Sequence, residues 1–286
     1  MSQIPEMEAL INLLDEPDEK AFSLIREKVF SFGEDAIPLL EKALENTFDE
    51  LIQGRIEDMI GSIHRDNLYL DFMNWVSLGS EDLLKGFLLV TRTQYPDIEE
   101  ADILSKVGQL KLDVWLELNH DMTALENIKV LNHFFYTVHS FDGNKANMSA
   151  PQNFYINNLL ETRKGSPLSL GMLYMILGRK CDLPIYGVNL PQHFILAYLN
   201  EQKISKPTED DVLFYINPFN KGAVFTRREI ELFIRQLKIK PERSFFAPCS
   251  NNDIIKRLIR HLIFAYNQLG YPDKINDLDH LLSAFE

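Results

Sequence analysis

The sequence predicts a mostly helical α+β fold, with one small antiparallel sheet flanked by helical layers. Three observations carry this expectation. Apolar residues recur at helical spacing from the N-terminus to about residue 141. Strand-like runs are confined to residues 185–216. A helical hairpin, split at Gly270-Tyr271-Pro272, follows near the end. Three regions are expected: a helical layer over 1–80, a core over 81–240 and a helical hairpin over 241–286.

Residues 6–46 read as paired helices. Ala9, Leu10, Leu13 and Leu14 share one face, and Glu16-Pro17-Asp18 breaks the pattern with a capping residue. Ala21, Phe22, Ile25, Val29 and Phe30 continue it until Gly33 stops the helix. Another helix begins at 36–44. Leu83, Leu84, Phe87, Leu88 and Val90 form an apolar stripe that ends at Tyr95-Pro96-Asp97. Helices are expected over 99–118 and 123–140. The Asn-, Ser- and Gly-rich stretch 142–153 reads as a loop, and 154–163 as a short helix. Ser166-Pro167 supplies an N-cap and a first helical position for a helix reaching about Cys181. Residues 185–188, 194–199 and 212–216 have strand character, 226–237 returns to helix, and 251–269 with 272–285 closes the chain.

Composition narrows the function. Acidic residues outnumber basic ones 42 to 29, giving a net charge of −13. A phosphate backbone is held mainly by Lys and Arg, so nucleic acid is not an expected partner. The basic pair Arg227-Arg228 is followed by Glu229 and Glu231, as on a solvated helix face. No run approaches the ~18–20 apolar residues of a membrane span. The N-terminus lacks a basic region followed by an apolar core, so a cytoplasmic protein without a membrane partner is expected. Cys181 and Cys249 match no zinc spacing. Both read as small buried residues, although Cys249 precedes a helix start, a position that lowers a thiol pKa. His133 and His139 lie six apart, not the four of a shared metal face. No metal and no cofactor are expected.

The informative stretch is 153–220. A helix starts at Ser166–Ser169, His193 heads one strand, and Asn217 ends the next before Pro218. In cysteine acyl-transfer enzymes a thiolate sits at a helix N-terminus, where free amides and the helix dipole stabilise it. A histidine takes the proton, and an Asp or Asn orients the imidazole. Here the histidine and the amide are present and the thiol is not. Alternation puts His193, Ile195, Ala197 and Leu199 on one strand face.

The run from Asn153 to Leu170, NFYINNLLETRKGSPLSL, resembles the SirB-type, transglutaminase-like family. That family has an Asn-x-Tyr-Leu-Asn helix, an Arg-Arg-Gly-Ile-Pro-Ile-Ser-Leu helix start, a Leu-Pro-x-His-Phe strand and an Asp-Pro-Phe strand end. Leu190-Pro191-Gln192-His193-Phe194, Asn217-Pro218-Phe219, Gly143-Asn144 and Tyr95-Pro96-Asp97 match its other motifs. The likeness covers roughly residues 80–235 and implies a transglutaminase-like (papain-like) core. Relatives often carry a tetratricopeptide-like tail, where this chain has its last hairpin. Residues 13–18 with Gly33 and 37–40 resemble a single HEAT-type helical repeat. Two departures stand out: Asn217 replaces the usual Asp, and Lys164 replaces a second Arg, losing a planar donor fork.

Counting back from Asp182-Leu183-Pro184, the family's cysteine position falls near Pro167, about four helical turns away. Ser166 and Ser169 are the nearest hydroxyls. Ser166 reads as the N-cap. Ser169 reads first as a small residue satisfying a backbone group, and second as a nucleophile facing His193. Arg163, Asn144, Asn157, Gln192 and Ser166 are expected around the cleft. Two functions follow. One is a non-catalytic module that binds a protein or peptide. The other is a hydrolase or acyltransferase using Ser169, His193 and Asn217.

Overall fold

Capping side chains set many of the helix starts in the computed structural model, which describes residues 4–200 and 206–286. The chain forms two compact units, Met1–Asn74 and Trp75–Glu286. In the first, α1 (Ile4–Ile11), α2 (Glu19–Phe30), α3 (Ile37–Asn46) and most of α4 (Glu50–Ser77) enclose a small core. Met7, Leu14, Phe22, Val29, Leu40, Ile56 and Met59 fill it. Asp18 caps α2 by accepting the amide of Lys20. The Arg55 guanidinium donates to the carbonyls of Leu14 and Glu16, both at 2.8 Å, and lies 3.8 Å over the Phe22 ring. Carbonyls left open after α1 are thereby satisfied.

The second unit begins with α5 (Leu83–Arg92), capped by Asp82, then α6 (Glu100–Trp115) and α7 (Ala124–Asn132), capped by a Thr123–Glu126 box. The expected helix over 123–140 is not continuous. A π-helical turn occupies His133–Val138. Its wider spacing lets the consecutive rings of Phe135 and Tyr136 both pack against Tyr174, at 5.3 and 6.1 Å between centroids.

β1 (Asp142–Gly143) pairs in parallel with β2 (Lys164–Gly165) on either side of a 3-10 turn at Pro151–Phe154 and α8 (Ile156–Thr162). Helix α9 (Pro167–Lys180) comes next. Every residue from Leu168 to Gly178 is buried, so the helix is surrounded on all sides. β3 (Ile185–Leu190), β4 (His193–Leu199), β5 (Val212–Asn217) and β6 (Ala223–Phe225) form one antiparallel sheet in sequence order. β6 and the β1–β2 pair are too short to leave a periodic signal and were not expected.

One sheet face packs on α9. A Cβ at Gly171 would lie 2.7 Å from the Phe194 ring, so only glycine allows this approach. The other face packs on α10 (Arg227–Gln236), where Ile230 and Ile234 meet Val188, Ile195, Ala197, Leu199 and Tyr215. α11 (Asn251–Leu269) and α12 (Pro272–Ser283) form the last hairpin. The hairpin belongs to the second unit. α11 buries Ile254, Leu258 and Leu262, and the Tyr266 hydroxyl pairs with that of Tyr155 at 2.8 Å. Among the described residues, no helix is long and apolar enough to cross a membrane.

Candidate functional site

The tip of α9 is built by serine capping. Ser166 has the extended backbone of an N-cap, and its Oγ accepts the Ser169 amide at 3.1 Å. The Ser169 hydroxyl accepts the Ser166 amide at 3.0 Å and donates to the Asn153 carbonyl at 2.5 Å. Ser169 is 0% exposed. Its hydroxyl is turned into the core and held by backbone groups.

Asn153 is the centre of this region, and sequence reading did not single it out as a site residue. Its carbonyl takes the Ser169 hydroxyl and the Ser166 amide. Its side chain accepts from Asn144 Nδ2 at 2.9 Å and donates to the Asn147 carbonyl at 2.5 Å. The Asn144 amide in turn donates to Gly165. One buried asparagine therefore ties the 142–153 loop to the start of α9.

The other expected residues lie around this network or beyond it. Arg163 ends α8 in a left-handed conformation, φ 59°, with its guanidinium 4.8 Å over the Phe141 ring. Burial pushes its pKa down. Asn157 is half-buried on α8, and its Oδ1 is buried with no hydrogen-bond partner among the described residues. Gln192 is exposed in the β3–β4 turn at φ 62°.

His193 and Asn217 are not aimed at α9. His193 opens β4 one residue before Phe194, which faces α9, so alternation turns the imidazole to the α10 side. There its ring meets Phe233 edge-on at 4.8 Å. Asn217 shares the parity of Tyr215, which packs on the α10 side. Its Oδ1 accepts the amides of Phe219 and Asn220 at 3.0 and 3.1 Å, capping the 3-10 turn Pro218–Asn220. Among the described residues no hydrogen bond joins Ser169 to His193, or His193 to Asn217. The three chain segments come together, but their side chains are committed elsewhere. The Ser169 hydroxyl bonds to backbone groups beside it and makes no hydrogen bond to His193.

The π-helical turn holds the Asn217 loop from below. Tyr136 donates its hydroxyl to the Pro218 carbonyl at 2.7 Å. Asn132 donates to the Gly222 carbonyl at 3.0 Å and accepts from the Tyr174 hydroxyl at 2.8 Å. These contacts span 42 to 90 residues of sequence, which no local pattern reveals.

Neither thiol is activated. Burial pushes Cys181 up to about 11, and its Sγ lies 3.7 Å from the Lys111 carbonyl. Burial also pushes Cys249 up to about 12, outweighing its place just before a helix start. Among the described residues no group of three or more His, Cys, Asp and Glu side chains gathers as a metal site requires.

Three histidines set an acid dependence. Burial is the largest cause lowering the pKa of His139, His193 and His261; Arg257 adds to it at the last two. The folded chain thus holds them neutral, while the unfolded chain takes up protons below the ordinary value of 6.5. Their stabilising contribution is complete above that value and is lost as the pH falls through the depressed folded values. Urea unfolding at about pH 7.5 and about pH 5.5 checks this. Stability falls on acidification, and less so in His261→Gln, whose ring otherwise stacks on Phe154. An unchanged midpoint would refute it.

The comparisons with known proteins agree with this architecture. A model of the transglutaminase-like superfamily matches residues 101–260. A UPF0162 protein of Xylella fastidiosa is 25% identical over 213 residues, covering 70% of this chain and 72% of that protein. A UPF0162 protein of Vibrio cholerae is 25% identical over 155 residues, about half of each chain. Human F-box only protein 21 is 28% identical over 177 residues, covering 62% of this chain but only 26% of that longer protein. No solved structure matches. With the family model spanning more than half of its length, from α6 into α11, this chain belongs to the transglutaminase-like superfamily.

Proposed function

We propose that this chain is a cytoplasmic, non-catalytic member of the SirB-type branch, and that it binds a protein or peptide partner. One observation carries the reading: the hydroxyl nearest the family's nucleophile position, Ser169, is fully buried and spent on the Asn153 carbonyl. A nucleophile must reach its base and open onto substrate, and this one does neither. The unpaired cysteines suit a reducing compartment. The SirB-type assignment rests on the Leu190–Phe194 and Asn217–Phe219 motifs. The exposed Gln192 turn and the Arg163 cation beside the 142–153 loop are the surfaces offered to the partner.

A serine-directed phosphonate probe tests the catalytic side. Ser169 stays unlabelled in the folded chain, as does a cysteine placed there by Ser169→Cys when challenged with iodoacetamide. Labelling of Ser169 that disappears in His193→Ala would instead establish a hydrolase or acyltransferase built on Ser169, His193 and Asn217. On the binding side, a partner captured by the intact chain is lost on Arg163→Ala or Gln192→Ala. Indifference to both changes removes this surface from the account.

A further inference from the structure

Helix α11 packs against β3 and the Pro151–Phe154 turn, and it carries two polar side chains there, each backed by an aromatic ring. Arg257 and His261 are four residues apart, so they share one face of the helix. Both are half-buried. The Arg257 guanidinium lies 5.9 Å over the Phe194 ring, and the His261 imidazole stacks on Phe154 at 5.6 Å and 14°. The two rings hold the two polar planes in place.

Arg257 is only partly used. Its Nη1 donates to Asn189 Oδ1 and to the Leu190 carbonyl, both at 3.2 Å. Nε and Nη2 make no hydrogen bond among the described residues, so one complete edge of the fork is open. Neither ring nitrogen of His261 has a hydrogen-bond partner among them, and neither is sealed from solvent. No described carboxylate lies within ion-pair distance of Arg257. Asp253, one turn earlier, is spent on the amide and hydroxyl of Ser250 at 3.2 and 2.6 Å. Burial lowers the Arg257 pKa, and Arg257 adds to burial in lowering that of His261, so the two lie within electrostatic reach. A half-buried cation without a carboxylate is costly, and an arriving anion relieves the cost.

The open edge selects the anion. The Nε–H and one Nη2–H are parallel donors in one plane, the geometry that takes both oxygens of a carboxylate. His261 supplies one further N–H in either neutral tautomer. Arg257 brings the one lasting positive charge, which a singly charged carboxylate matches and a doubly charged phosphate exceeds. The anchor points to the source. Asn189 and Leu190, which hold Arg257, end β3 directly before the exposed Gln192 turn. An acid bound here belongs to a chain lying across that turn.

We propose that Arg257, with His261 on the same helix face, binds a carboxylate of the peptide partner. This rests on the reading of the chain as a peptide-binding module and names the partner's chemistry. The test is NMR on the isotope-labelled full chain, following the Arg257 Nε–H and the His261 ring protons. The probes are the blocked tripeptide Ac-Ala-Glu-Ala-amide, its glutamine counterpart, Ac-Ala-Ala-Ala with a free C-terminus, and inorganic phosphate. At least one of the two acids shifts both signals saturably, and the glutamine peptide does not. A response to the glutamate peptide alone identifies an acidic side chain, and a response to the free terminus alone identifies a chain end. Arg257→Gln weakens the response at least about tenfold, as loss of a charge-assisted hydrogen bond does. Where that variant does not fold, the acid–amide comparison on the unaltered chain decides alone. Equal shifts from the glutamate and glutamine peptides, tighter binding of phosphate than of either acid, or silence up to about 20 mM acid would each overturn the proposal. Silence here leaves a partner captured through Arg163 and Gln192 standing, so failure of the carboxylate site is told apart from failure of the binding reading.

Discussion

Replacing Gly222 by alanine lowers the stability of the second unit by roughly 3 kcal/mol, the largest effect expected for so small a change. Two costs combine. Gly222 sits at φ 68°, where an L side chain is strained by about 1 kcal/mol. The new Cβ would also stand 1.8 Å from Asn132 Oδ1. That amide cannot simply swing away, because it donates to the Gly222 carbonyl and accepts from the Tyr174 hydroxyl. Tyr174 is 0% exposed, so moving Asn132 strands a buried hydroxyl at about 2 kcal/mol. Chemical denaturation measures the loss directly, and melting falls by roughly 6–12 °C. A change below about 1 kcal/mol would mean that Asn132 does not brace this loop.

Asn153→Ala is expected to cost roughly 2 kcal/mol and to loosen the loop it anchors. The asparagine is 3% exposed, and alanine leaves both Asn144 Nδ2 and the Asn147 carbonyl without their partner. The backbone carbonyl of residue 153 remains, so the Ser169 contact persists and the α9 cap survives. Hydrogen exchange separates the two effects: amides of 144–150 exchange faster, while those at the start of α9 keep their protection. Equal deprotection of both segments would show that the asparagine supports the helix tip rather than the loop. Asn153→Asp costs more than alanine, because it sets a buried carboxylate against the Asn147 carbonyl.

Much of the architecture was legible because it is written locally. Asp18 and Ser166 each announce a helix start, and each caps one. The three longer strands of the sheet were readable, and alternation correctly grouped His193 with Ile195, Ala197 and Leu199. Which sheet face meets α9 was not readable. Phe194, Leu196 and Tyr198 are as apolar as the residues between them, so hydrophobicity gives no preference. That choice decided where the imidazole points. Ser166 declared itself as a cap through the proline beside it. The partner of Ser169 lay 16 residues upstream at a backbone carbonyl, which leaves no trace in side-chain identity. The π-helical turn was hidden for a similar reason, since the ring it packs against, Tyr174, lies 42 residues beyond Asn132.

The tight β3–β4 turn at Pro191–Gln192 gives this arrangement a short evolutionary reach. Side chains along a strand swap sides with each single-residue slip. One residue gained or lost in that turn would carry the imidazole across to the helix side, into the place Phe194 now fills. Such a slip would drive an aromatic ring out of the packed interior, so the seat of Phe194 against Gly171 is what holds the imidazole on its present side.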